Sequence, residues 1–308
     1  KGEMDLTRRA MEFVTANRDR PFYLHLCHNS PHIPLAASPE LVAKNTDAFH
    51  PVYAACLESL DASVGKLLAR LDELKLRANT LVVFTSDNGG LHVPEGGDPP
   101  THNTPYRAGK GFLYEGGLRV PLIARGPGVP AGTLADSPVI STDWTPTLLE
   151  VCGRPGAGGL DGTSFAAVLH GGSREQPPFF WHVPHYMNQG SRPGGAVRVG
   201  NWKLIEHYED DAAELFNVVA DPSESTDLAV KEPARVAALR KQLADWRAAV
   251  KAQQMAPNPA FDAAKHKAIY LDVDVSRLKP AATAKETGAP LAGWRTAMNA
   301  AVAGMNPR

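Results

Sequence analysis

The stretch that most constrains the fold is the apolar run at residues 81–84, which two polar residues, Asp87 and Asn88, follow closely. A continuous apolar run with β-branched residues predicts a strand buried on both faces of a parallel sheet. Two glycines come next and allow a sharp turn. Because open α/β sheets place their active sites at the carboxyl ends of central strands, the run predicts an α/β fold with polar oxygens at a ligand-binding edge.

Asp87 and Asn88 offer one charged and one neutral oxygen. This pair suits a hard cation, Ca²⁺ or, as a weaker alternative, Mg²⁺. The alternative interpretation is a strand that ends in an ordinary Asx turn, and these two residues alone do not exclude it.

Composition limits the partners of the chain. With 308 residues it can bury one large core or one core and a smaller module, and its net charge of -1 gives no general attraction to nucleic acid or to an anionic membrane. No apolar run reaches the roughly 18 residues of a membrane span. The three cysteines are odd in number and widely spaced, so they predict no disulfide framework.

A first domain is predicted over residues 1–175. Residues 21–28 resemble a short buried strand, residues 51–76 an amphipathic helix, and the run at 81–84 the next strand, which together indicate a βαβ unit. Further helices are predicted at residues 4–18, 143–152 (with Ser141 as N-cap) and 164–170, and a strand at 120–125.

A second, smaller α+β domain is predicted over residues 176–256. Four short strand patterns separated by turn residues indicate an antiparallel sheet, and apolar residues at helical spacing between Val236 and Val250 indicate a helix that covers it. Residues 257–308 are rich in Ala, Pro and Lys without a sustained period, and we expect an extended tail that wraps the surface or is partly disordered.

Two further candidates precede and follow the Asp87-Asn88 pair. His32 lies in a loop with two prolines, and Lys110 lies in a glycine-rich stretch after a long aperiodic loop, a kind of loop that is usually functional. Each alone has an ordinary interpretation, a structural histidine and a solvated lysine. Four charged residues are predicted to be structural ion partners before anything else: Asp61, Arg107, Glu115 and Arg119.

In this order and spacing the motifs resemble the type I sulfatases of the alkaline phosphatase superfamily. The matching segments are His32-Ile-Pro34, residues 80–89, Gly109-Lys-Gly with Tyr114-Glu-Gly-Gly-x-Arg119-x-Pro121, residues 141–149, Asp161-Gly-Thr-Ser164, residues 200–205, and residues 214–224. They cover residues 1–255, and so long an ordered set is more specific than any one short motif.

The resemblance implies a partial alkaline-phosphatase-like α/β sandwich with a small C-terminal antiparallel sheet plus helix. It also implies Ca²⁺ ligands at Asp87 and Asn88, and sulfate or leaving-oxygen contacts at His32 and Lys110. A cation and fixed donors would stabilise the charge that develops on the leaving oxygen. Weaker candidates for substrate contact are His92, His102, His185 and Asn188.

The chain departs from the family pattern at the nucleophile. Family members carry a Cys/Ser-x-Pro-x-Arg motif, converted to formylglycine, upstream of all these segments, and residues 27–31 do not match it. We therefore expect the chain to correspond to the C-terminal two-thirds of a sulfatase. Its N-terminal part could be a separate polypeptide, could be lost from a truncated gene, or could simply lie outside this sequence.

The functional prediction is hydrolysis of a sulfate ester, on a sulfated small molecule or glycan, with the nucleophile supplied by the upstream segment. Two alternatives remain open: a phosphonate or phosphate monoester hydrolase on the same scaffold, and an inactive piece that acts as a binding module. The resemblance favours a periplasmic or secreted location, and we expect neither nucleic acid nor membrane as a partner.

Overall fold

The computed structural model describes residues 2–156 and 158–305. It divides into two compact units: residues 1–82, 91–102 and 279–295 form the first, and residues 83–90, 103–278 and 296–308 form the second. The domain boundary predicted near residue 175 falls inside the second unit and stays a prediction.

The helices are α1 (Gly2–Ala16), α2 (Pro39–Lys44), α3 (Pro51–Glu73), α4 (Glu115–Leu118), α5 (Trp144–Val151), α6 (Ala166–Leu169), α7 (Pro233–Ala249), α8 (Ala263–His266), α9 (Ala284–Gly288) and α10 (Ala292–Met305). The strands are β1 (Val82–Thr85), β2 (Leu122–Arg125), β3 (Phe179–Val183), β4 (Gly194–Val199), β5 (Trp202–His207) and β6 (Ala213–Asn217). No helix among the described residues is long and apolar enough to cross a membrane.

The first unit is built on the packing of α1 against α3. The helix predicted at residues 51–76 is confirmed as α3, which begins with Pro51 at its first position and with the His50 imidazole accepting the Tyr53 N–H at 3.3 Å. Val14 of α1 and Ala55 of α3 are fully buried. Their apolar stripes therefore account for this part of the core.

Two predicted strands are corrected. Residues 21–28 form no strand, and β1 is not buried on both faces, because Phe84 and Thr85 are exposed. Among the described residues β1 pairs with β2 alone. An apolar strand becomes buried only when neighbouring strands and helices cover it, and the part of the chain described here supplies one neighbouring strand. The predicted βαβ unit is accordingly not formed within these residues.

The second unit contains the predicted antiparallel sheet, which is confirmed with strand order β3-β4-β5-β6. Val197 pairs with Leu204 and Leu204 with Leu215, so apolar side chains share one face of the sheet. α7 covers this face through Leu239 and Leu243, and all five side chains are buried.

The predicted helix at residues 143–152 is confirmed as α5, but its cap differs from the prediction. Asp143, not Ser141, is the N-cap residue of α5, but its side chain makes no capping bond to the helix. Its carboxylate instead accepts the N–H groups of Ile140 at 3.1 Å and Thr163 at 2.9 Å. Arg174 pairs with the buried Asp143 at 2.7 Å. Ser141 instead begins a short 3₁₀ turn that leads into the helix.

The expectation of an extended tail at residues 257–308 is wrong for most of its length. α8, α9 and α10 form there, and the side chains of Leu291, Trp294 and Met298 are buried. The spacing of these three apolar residues fits one helical face, and the many alanines favour helix once that face has a partner. Tertiary packing thus orders a segment whose composition alone suggests disorder.

We predict that Leu243→Ala lowers the free energy of unfolding by about 2–5 kcal/mol, because it opens a cavity between α7 and the sheet. The matched control is Leu134→Ala, since Leu134 is 99% exposed and its truncation creates no cavity. Urea denaturation of both variants checks this. An equal effect at the two positions would contradict the assigned core.

Candidate functional site

The loop after β1 holds the two predicted metal ligands in a tight local turn. Asp87 Oδ1 accepts the Asn88 N–H at 3.0 Å, and the Asn88 amide donates to the Gly89 carbonyl at 3.0 Å. The Asp87 side chain is exposed and Asn88 is half-buried. Both bonds join adjacent residues, whereas an Asx turn, the alternative interpretation, needs a bond to the N–H two residues on. The arrangement leaves carboxylate oxygen on an accessible surface.

Backbone hydrogen bonds join this loop to the glycine-rich stretch that carries Lys110. The Lys110 N–H donates to the Gly90 carbonyl at 3.1 Å, and the Gly89 N–H donates to the Gly117 carbonyl at 3.0 Å. Lys110 is half-buried. Its backbone bond to Gly90 brings the Lys110 main chain close to the segment that carries Asp87 and Asn88.

The Asn103 side chain hydrogen-bonds to both of these segments. Its Oδ1 accepts the Gly90 N–H at 2.9 Å, and its amide donates to the carbonyls of Gly90 and Ala108, each at 2.9 Å. Asn103 is not among the residues predicted from the sequence. The only sequence signal is an amide side chain inside a long, aperiodic loop, and that signal does not identify its partners.

Gly89 is required by close approach. A Cβ at this position would lie 1.7 Å from the Gly116 carbonyl oxygen, a distance that no side chain tolerates. A glycine here therefore lets the loop after β1 lie directly on α4.

A buried ion triad fixes α4 beneath that loop. Lys203 on β5 is 0% exposed, and its Nζ lies 3.0 Å from Glu115 Oε1 and 2.9 Å from Glu224 Oε1. Glu224 Oε2 also accepts the Glu115 N–H at 2.6 Å. Burial raises the pKa of the Glu224 carboxyl, and the charge of Lys203 opposes this effect without cancelling it. The three residues come from three of the motif segments that carry the family resemblance.

Glu214 on β6 is the centre of a second charged cluster. Arg107 Nη1 lies 3.1 Å from it, His207 Nε2 lies 3.3 Å away, and the Tyr114 hydroxyl donates to it. Burial alone would raise the pKa of Glu214, but the hydrogen bonds from His207, Tyr114 and Arg107, with the charge of Arg107, lower it to about 2. Burial also raises the pKa of Tyr114, which keeps its hydroxyl protonated as a donor.

The ion-partner predictions for Arg107 and Glu115 are therefore confirmed. Arg119 instead lies over the Tyr106 ring, 4.8 Å from its centroid.

The turn at residues 187–191 contacts the residue next to Lys110. The Ser191 hydroxyl donates to the Gly111 carbonyl at 2.5 Å, and the Met187 N–H donates to the Ser191 carbonyl at 3.1 Å. Asn188 is half-buried within this turn, and His185 precedes it as an exposed side chain. The turn thus brings the Asn188 segment close to the glycine-rich stretch.

The remaining candidates belong to the first unit. His32 is exposed, and its Nδ1 lies 2.6 Å from the Ile33 carbonyl oxygen. His102 is exposed and packs edge-on against Phe49, with ring centroids 5.1 Å apart. His92 is only 5% exposed, so little of its side chain is accessible to a substrate. This burial argues against the predicted substrate contact.

The donor set fits a hard cation in part. Asp87 and Asn88 supply oxygen ligands, whereas Ca²⁺ takes six to eight. Within residues 2–156 and 158–305 no group of three or more His, Cys, Asp or Glu side chains converges in a way that could hold a metal ion. Any further ligands would have to be backbone, amide or water oxygens, or come from outside these residues.

Two family models match the chain. The model described as Sulfatase matches residues 3–153, and the one described as N-sulphoglucosamine sulphohydrolase, C-terminal, matches residues 108–252. The chain is similar to a "Sulfatase" of Formosa agariphila, with 34% identity over 70% of this chain and 43% of that protein. It is also similar to human steryl-sulfatase, with 37% identity over 59% of this chain and 32% of that protein.

Among solved structures, the crystal structure of Ps i-CgsB in complex with k-i-k-neocarrahexaose matches with a TM-score of 0.69 and 30% identity, over 79% of this chain and 54% of that one. The α/β fold class and its alkaline-phosphatase-like architecture are thereby confirmed. The chain spans about half, or less, of the length of these relatives.

We predict that Lys203→Met lowers the free energy of unfolding by about 3–5 kcal/mol, because it leaves two buried carboxylates without their cation. The control is Lys241→Met, which removes an exposed ion pair with Asp245 on α7 and should change stability by less than about 1 kcal/mol. Urea denaturation at neutral pH measures both. If Lys203→Met lowers the free energy of unfolding no more than Lys241→Met does, the triad does not stabilise the second unit as stated.

We also predict an acid-sensitive contribution from Glu214. Because its folded-state pKa is lowered from 4.5 to about 2, the contribution is complete above pH 4.5 and is lost as the pH falls from there toward 2. It amounts to at most about 3 kcal/mol. The stability difference between the parent chain and Glu214→Gln should therefore shrink across this range in urea titrations. A difference that stays constant with pH would contradict the assignment.

Proposed function

Since the chain belongs to the sulfatase family, we propose that it forms part of a hydrolase that cleaves sulfuric esters. The observation that carries this proposal is the pairing of the loop after β1 with the Lys110 stretch through Gly90 and Asn103. Through this pairing the Lys110 backbone bonds to Gly90, two residues from Asn88, which supports a site that combines an ammonium with two oxygen ligands suited to a hard cation. Such a combination suits an anion held next to a metal ion.

The side chains have separate roles in this proposal. Asp87 and Asn88 would hold Ca²⁺, which when bound neutralises charge on the sulfate and on the leaving oxygen. Lys110 would donate hydrogen bonds to sulfate oxygens, because its ammonium is a compact positive charge with three donors. His32 would donate to the sulfate or give a proton to the leaving oxygen. The nucleophile would come from residues outside this chain.

We further propose that the substrate is a sulfated carbohydrate. Support comes from Ps i-CgsB, whose structure is described in complex with k-i-k-neocarrahexaose. His102, His185 and Asn188 remain candidates for hydrogen bonds to sugar hydroxyls, since they lie at accessible or half-buried positions. The similarity to human steryl-sulfatase makes a steryl sulfate the obvious competing substrate.

The test uses the protein at its natural length with para-nitrophenyl sulfate and para-nitrophenyl phosphate, with and without a chelator. We expect turnover of the sulfate ester that the chelator abolishes. Asp87→Ala and Lys110→Ala should each lower kcat/KM on the order of 10²-fold or more, because each removes a fixed group that stabilises developing charge. Their melting temperatures should stay close to that of the parent.

The matched control is Lys231→Ala, which removes an exposed lysine elsewhere in the second unit and should leave kcat/KM unchanged. Activity retained in Asp87→Ala would refute the metal assignment, and preferential turnover of the phosphate ester would favour the phosphomonoesterase alternative. Sulfate release from sulfated oligosaccharides compared with a steryl sulfate then decides between the two substrate classes.

A further inference from the structure

Arg107 is held by residues that are distant in sequence. Its guanidinium donates to the Ser276 hydroxyl from Nε at 3.1 Å and from Nη2 at 2.8 Å, and its Nη1 reaches Glu214. Asp274 lies 3.7 Å from Nη2, and the guanidinium carbon lies 3.6 Å from the centroid of the Tyr114 ring. We name the set of Arg107, Glu214, Asp274 and Ser276 the Arg107 anchor.

The part of the anchor at residues 274–276 lies beyond residue 252, where the second family match ends. Ser276 is buried, and its hydroxyl donates to Asp274 Oδ1 at 2.6 Å while it accepts from Arg107. This hydroxyl donates once to a carboxylate and accepts twice from a guanidinium, which uses its one donor and both lone pairs, and all three bonds are charge-assisted. This arrangement is therefore well suited to fix one side-chain position.

Only Ala108 and Gly109 separate Arg107 from Lys110. Ala108 adopts φ of +60°, a left-handed conformation that a non-glycine residue takes up at a cost of about 1–2 kcal/mol. The backbone on either side is held by the Gly116 N–H, which donates to the Arg107 carbonyl at 2.9 Å, and by the Asn103 amide on the Ala108 carbonyl. A strained residue persists when its neighbours are fixed, and the anchor fixes the Arg107 side chain in addition to these backbone bonds.

We propose that Ser276 and Asp274, acting through Arg107, are positioning residues for Lys110. The role given to Lys110 in sulfate binding rests on the proposed function, whereas the positioning does not. The C-terminal segment beyond the family match thus sets the geometry of the glycine-rich stretch at the candidate site.

The experiment uses the full chain and compares Ser276→Ala with Thr287→Ala. Thr287 is a matched control because it is another buried hydroxyl beyond residue 252, and it hydrogen-bonds to Ala281 and Thr283 instead. Hydrogen exchange followed by mass spectrometry reports on the amides of residues 107–112. Competitive acetylation, also read by mass spectrometry, reports on the Lys110 amine relative to the exposed Lys241.

For Ser276→Ala we expect exchange at residues 107–112 to accelerate on the order of tenfold, because three charge-assisted hydrogen bonds are lost. The acetylation rate of Lys110 relative to Lys241 should change severalfold. Thr287→Ala should alter neither readout. Asp274→Asn, which keeps the size of the side chain and removes its charge, should shift both readouts in the direction of Ser276→Ala and serves as the milder variant if that protein does not fold.

Unchanged exchange and acetylation in folded Ser276→Ala or Asp274→Asn would overturn the proposal, even if the melting temperature falls. Equal changes in Thr287→Ala would overturn it as well, because the effect would then be general loosening. Neither readout depends on turnover, so a failure of the sulfatase assignment leaves this test intact.

Discussion

The second unit depends above all on the burial of one ammonium between two carboxylates. Lys203 has no exposed surface, and Glu115 and Glu224 are its ion partners. Removing a charge from water costs several kcal/mol unless paired groups surround it, so these three residues are constrained to one arrangement. Because Glu115 begins α4, the triad determines where Gly116 and Gly117 lie, and the loop after β1 packs on those two glycines.

The candidate site is built from backbone more than from side chains. Gly89, Gly90 and Lys110 are joined through main-chain hydrogen bonds, which Asn103 supplements from its amide. Main-chain pairing is insensitive to side-chain rotamers, so it holds the two segments together whichever rotamers their side chains adopt. The charged residues around it, Arg107 and Glu214 above all, are paired with one another. In the proposed positioning role, they hold the backbone of the glycine-rich stretch in place.

Apolar periodicity predicted the helices and strands correctly where the element that packs against them lies within the described residues. The strand patterns between residues 179 and 217 and the helical stripe of α7 cover each other, so local pattern and final structure agree. It failed at residues 21–28 and at β1, where an apolar pattern predicts burial that the described residues do not complete. In the tail, a weak pattern around Trp294 becomes helix because packing buries one face.

By itself, the sequence determined the family, and with it the α/β class, through an ordered set of motifs over residues 1–255. It also determined the antiparallel sheet with its covering helix and the position of Asp87 beside Asn88, because these depend on neighbours close in the chain. Only the tertiary structure decided that Glu115, Lys203 and Glu224 share one buried site, that Asn103 fastens Gly90, and that Ser276 reaches Arg107 from 169 positions away. Contacts of this kind produce no periodic pattern in the sequence. Each depends on a single side chain, and only the folded structure determines which residue lies within its reach.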